Sequence, residues 1–226
     1  MHFERIERVL SVFLSVAALV LIALIIRREF GTEEAPIAQE RSSTPVFIPA
    51  WEGLLSHGTS DNNYQAPVRI LEFADFECNA CRRYQPILES IQDRFGAKVG
   101  MVFLHFPLQY HRFSRLSARA AECAKSEGKF WEMAGNLYRY QDSLGLKAWQ
   151  SIASESGVRD TAAFADCVVR TDPLPIVDSG LAVGARIKLT GTPTIIVNGW
   201  RFSSPPTEEV LARTVSDLLA GKKPEP

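Results

Sequence analysis

Residues 76–86 read FECNACRRYQP and put two thiols, Cys78 and Cys81, two residues apart. Such a pair has three chemistries open to it: holding a metal, stapling the chain, or exchanging electrons. A closed tetrahedral metal site takes four ligands. The chain has no second close CxxC and no neighbouring Cys/His pair, so such a site would have to form between chains. Electron exchange asks for less: one exposed sulfur that reacts as a thiolate, and a second that resolves the mixed disulfide. The remaining cysteines, Cys123 and Cys167, follow no metal spacing. They are either buried thiols behaving as small hydrophobes or a disulfide, and an even cysteine count in an oxidising compartment favours the disulfide.

The elements that position the pair can be read outward from it. VRILEFADF, residues 68–76, is rich in branched and aromatic side chains and predicts a buried strand. After the cysteines the period changes: Cys81, Tyr84, Leu88, Ile91 and Phe95 recur at three and four, predicting a helix that ends at Gly96 and is kinked by Pro86. KVGMVFLHF, residues 98–106, reads as a central strand, which completes a βαβ unit with parallel pairing. The pair therefore falls where a strand ends and a helix begins. There the free N–H groups and partial positive charge of the helix favour a thiolate on Cys78. Arg82 and Arg83 would add to this only if they fold back toward it. His105 and His111 read as structural or surface groups rather than ligands.

Helix formers then dominate from Phe113 to Leu189, and TIIVNGWRF follows with Asn198–Gly199 as a type I′ hairpin turn. PTEEVLARTVSDLLAG closes the domain as an amphipathic helix. The expected class is α/β, with residues 50–112 and 190–222 as two parts of one core and 113–189 as an all-helical insertion. Residues 9–26, from Val9 to Ile26, carry no charge and reach about 27 Å as a helix, close to a hydrocarbon core of ~30 Å. Residues 1–28 are accordingly read as an uncleaved membrane anchor, 29–49 as a linker and 223–226 as a tail. A formal charge of −1 gives no electrostatic reason for nucleic acid as a partner.

LEFADFECNACRRYQPIL, with HFPL, GKFWEM and GTPTIIVNG further on, resembles the DsbA-like branch of the thioredoxin superfamily over residues 51–220. The resemblance implies a thioredoxin-like fold with an inserted helical domain. It implies that Cys78 and Cys81 are the redox disulfide, and that Glu72 is the buried acid exchanging a proton with the resolving cysteine. Thr192 and Pro193 match the cis-proline loop that binds an extended substrate. Some members also bridge the helical domain, as Cys123 and Cys167 would here. Asn79 and Ala80 match neither the Pro-His of strong oxidants nor the Gly-Pro of thioredoxin, which leaves the direction of electron flow open.

The activity implied is that of an extracytoplasmic thiol:disulfide oxidoreductase needing no organic cofactor or metal. Its partners would be cysteine-containing exported proteins and a quinone-linked membrane protein of the DsbB or vitamin K epoxide reductase type. Disulfide reduction or isomerisation by the same residues is the alternative within the class. A CxxC metal-delivery module is the alternative outside it.

Overall fold

The computed structural model describes residues 14–22 and 45–224 and divides the chain into two units, 1–42 and 43–226. In the first unit residues 14–22 are helical, and among the described residues no helix is long and apolar enough to cross a membrane. The rest of the expected anchor, residues 1–13 and 23–28, lies outside the described residues, as does the linker as far as residue 44.

The second unit is built on a mixed sheet. Its strands are β1 (Val46–Phe47), β2 (Thr59–Ser60), β3 (Val68–Ala74), β4 (Val99–His105), β5 (Thr194–Val197) and β6 (Trp200–Arg201). They lie in the order β1-β6-β5-β3-β4-β2. β3 and β4 pair in parallel through α1 (Asn79–Phe95), and the other pairings are antiparallel. Every residue of β3 and β4 is buried, as a run of Val, Ile, Leu and Phe without alternation requires. The strand expected over 68–76 stops at Ala74, because Asp75 turns its side chain to cap the next loop. Val46–Phe47, within the stretch read as linker, pairs with β6 and extends the sheet.

Asn198 and Gly199 have φ of 44° and 85°. Both are left-handed, as a type I′ turn demands, and they set the register Val197↔Trp200. Between β4 and β5 the chain is helical: α2 (Ser114–Lys125), α3 (Phe130–Arg139), α4 (Trp149–Glu155), α5 (Thr161–Val168) and α6 (Pro175–Arg186). A last helix, α7 (Glu208–Leu219), follows β6.

Three apolar clusters result. One sheet face packs against α1 and α7 through Leu88, Ile91, Leu211 and Val215. The other packs against Leu54 and Val183, and α6 comes so close that a Cβ on Gly180 would meet the His105 carbonyl oxygen at 2.4 Å. The third is the insertion's own core, and it includes Phe76, Cys78 and Cys81. The helical domain and the cysteine pair thus share a core, which fixes the pair from the insertion side as well as from the sheet.

Candidate active site

Cys78 is the N-cap of α1, in extended conformation, and Cys81 lies one turn inside. Both are free thiols; Cys78 retains 8 % of its surface and Cys81 none. Facing them, the Thr192–Pro193 peptide is cis, and the Cys78 thiol reaches the Thr192 carbonyl oxygen at 3.4 Å. Residues 114 positions apart in the chain thus meet at the sheet end where β3 leaves and β5 begins. Glu72, on β3, is buried beneath the pair and accepts a hydrogen bond from Gln85 Nε2 at 3.2 Å.

The electrostatics separate the two sulfurs. The Cys81 thiol donates toward Cys78; against the cost of burial, this bond, the Thr192 side chain and the helix N–H groups of Cys81 and Ala80 bring Cys78 down to about 5. Burial pushes Cys81 far above the usual thiol range, and the neighbouring Cys78 and Glu72 add to that. The geometry therefore makes one sulfur a thiolate at neutral pH and keeps the other protonated. Burial also raises Glu72 to about 8, with Gln85 opposing and the Cys78 charge contributing. A carboxyl poised there can give or take a proton near neutral pH.

Gln141, and the partners of Arg82 and Glu77, have no signature in the sequence. Gln141, just beyond α3, donates to the carbonyl oxygens of Phe76 at 2.7 Å and Cys78 at 3.1 Å. Arg82 is held between Asn79 Oδ1 at 3.2 Å and Asp142 Oδ2 at 2.8 Å, so its charge sits at the middle of the CxxC loop and is shared with a carboxylate. Glu77 Oε2 accepts from the Phe113 N–H at 2.6 Å, at the entrance to α2. The CxxC motif does not point to Gln141, Asp142 or Phe113, which come from distant segments, whereas Asn79 lies within it.

Cys123 and Cys167 are bonded, with Cα atoms 5.9 Å apart, and tie α2 to α5. Cys123 belongs to the apolar cluster that holds Phe76 and Cys78. Among the described residues no three His, Cys, Asp or Glu side chains converge as a metal site.

A family model described as Thioredoxin matches residues 62–217. BdbD from Bacillus subtilis in its oxidised form superposes with a TM-score of 0.66 at 20% identity, covering 80% of this chain and 98% of that one. Wolbachia pipientis alpha-DsbA1 superposes at 0.60 with 18% identity, covering 73% and 92%. Curated relatives named Na(+)/H(+) antiporter NhaA 1 match as well. The one from Mycolicibacterium vanbaalenii is 34% identical over 162 residues, 71% of this chain. The match spans 26% of that relative, so the chain covers about a quarter of the antiporters' length. The match over 62–217 takes in both cysteines, the cis-proline loop and the helical insertion, and the chain belongs to the thioredoxin family with a DsbA-like fold.

Proposed function

We propose that the domain is an extracytoplasmic thiol:disulfide oxidoreductase that introduces disulfides into exported proteins. The carrying observation is the asymmetry of the pair: a Cys78 brought down to about 5 beside a Cys81 held protonated. A stabilised thiolate stabilises the reduced form, and that makes the disulfide form an oxidant. A substrate thiolate attacks Cys78 of the Cys78–Cys81 disulfide, and the bond breaks with its electron pair leaving on Cys81. Glu72 supplies the proton that Cys81 then keeps. The substrate's second thiol, giving up its proton to restore Glu72, attacks the substrate sulfur of the mixed disulfide. Cys78 leaves as its thiolate, and two electrons have passed from substrate to the CxxC. A quinone-linked membrane partner of the DsbB or vitamin K epoxide reductase type takes them away.

The backbone beside Pro193, with Thr192, is the proposed seat for the extended substrate. Membrane attachment through Val9–Ile26 is proposed on the length and apolarity of that segment. Nothing of antiport itself is assigned to this chain.

The test is oxidation of a reduced, unfolded substrate protein by the oxidised domain. Stoichiometric transfer by wild type and its loss in Cys78→Ser are expected; Cys81→Ser, offered a substrate that already carries a disulfide, is expected to attack it through Cys78, release one substrate thiol and hold the other as a mixed disulfide. Tight zinc or copper binding by the reduced monomer, with no transfer, would move the assignment to the metal-delivery class.

A further inference from the structure

β3 ends beside β4, so the segment following β4 lies against the turn that carries the cysteines, on the side away from β5 and Pro193. Asp75 joins the two. Its side chain is fully buried and makes three bonds: Oδ1 accepts from the Glu77 N–H at 2.8 Å, and Oδ2 accepts from the Leu108 N–H at 2.8 Å and from His111 Nδ1 at 2.7 Å. The Asp75 carbonyl oxygen accepts from the Cys78 N–H at 3.0 Å, and its own N–H acts on the Cys81 thiol. One residue thus reaches both cysteines through its backbone and His111 through its carboxylate.

His111 is rigidly presented. Its N–H bonds the Leu108 carbonyl oxygen at 3.1 Å, and Ser114 Oγ donates to the His111 carbonyl oxygen at 3.2 Å. The His111 ring, 18 % exposed, covers Asp75 and carries the exposed Tyr110 ring edge-on at 4.5 Å. A buried carboxylate three residues before a thiolate would repel it unless its charge is engaged elsewhere, and His111 engages it.

We propose that His111 is a positioning residue for the redox pair, acting through Asp75 on the turn that carries Cys78. The proposal rests on the oxidoreductase reading above. Without the ring, Asp75 loses one of the three bonds that fix this turn, and its buried carboxylate, three residues from Cys78, keeps only the two backbone N–H donors. Both effects destabilise the thiolate and leave the disulfide form less oxidising.

The experiment measures two quantities: the Cys78 titration, followed by thiolate absorbance, and the equilibrium with reduced and oxidised glutathione. Both are taken for wild type, His111→Ala and His111→Asn, since an asparagine Nδ2 can replace the Nδ1 donor. The alanine variant is expected to shift the equilibrium roughly three- to tenfold toward the oxidised protein, with the titration moving to higher pH. The asparagine variant is expected to stay within about twofold of wild type. Should His111→Ala not fold, His111→Leu keeps the bulk over Asp75 without a donor and carries the same comparison. A wild type that exchanges with glutathione beside an unchanged alanine or leucine variant overturns the inference and leaves the functional reading standing. A wild-type pair that forms no disulfide overturns both.

Discussion

At the scale of residues, the proposed function rests on three groups moved away from their ordinary protonation. Cys78 at about 5 is a thiolate at neutral pH, so alkylation of the reduced protein by iodoacetamide should rise through pH 5 and be flat above about pH 7. A rise centred near pH 9 would contradict the assignment. The same shift links stability to redox state. The folded pKa is depressed, so the stability that the thiolate adds is full above about pH 9 and is lost as pH falls through about 5. Glu72 has the opposite sign. Its folded pKa of about 8 lies above the ordinary 4.5, so its contribution is full below 4.5 and lost as pH rises through 8. Glu72→Gln removes that loss. It should stabilise the protein above pH 8, approaching ~5 kcal/mol by the linkage relation, while slowing the resolving step. Urea unfolding of both proteins at pH 5 and pH 9 measures it, and an equal difference at the two pH values would refute the burial of an acid at this position. The cysteine pair was legible in the sequence because the motif is local, whereas Glu72 was pointed to only by the family resemblance, which places an acid six residues before the pair. Gln85, which bonds Glu72, carried no such signal: a glutamine on a helix reads as a solvent residue until the helix is docked.

At the scale of elements, the CxxC loop is held from both sides by segments that the sequence presents as ordinary helix. Gln141 clamps two loop carbonyl groups and is buried, so Gln141→Ala leaves both without that donor. A destabilisation of about 1–3 kcal/mol is expected, with a slower rate of disulfide transfer. Denaturant melts together with the substrate-oxidation rate check both parts, and a change in stability alone would restrict Gln141 to a structural role. Away from the loop, the Cys123–Cys167 bond closes a separation of 44 residues. Replacing both by Ser should cost about 4 kcal/mol in the chain-entropy model, seen as a lower urea midpoint, while substrate oxidation persists. The strand–helix–strand unit, the NG hairpin and the helical run were readable because period and turn chemistry are local. β1 and β2 were not, since two-residue edge strands carry no period. Their existence depends on β6 and β4 supplying a ladder.

At the scale of the whole molecule, a thioredoxin-family sheet supplies the cysteines and the cis-proline loop, and the insertion supplies the clamps and part of the core. That division explains why the sequence left the direction of electron flow open. Asn79 and Ala80 alone lack the histidine of strong oxidants, whereas the folded site stabilises the Cys78 thiolate through Cys81, Thr192 and the helix N–H groups. Of these, Thr192 comes from across the fold, whereas Cys81 and the N–H groups of Cys81 and Ala80 belong to the motif itself. The most direct measurement is the equilibrium of the Cys78–Cys81 pair with glutathione at pH 7. A reduction potential above about −200 mV, on the oxidising side of glutaredoxins, is expected. A potential near thioredoxin's, about −270 mV, would contradict it and make the domain a reductase.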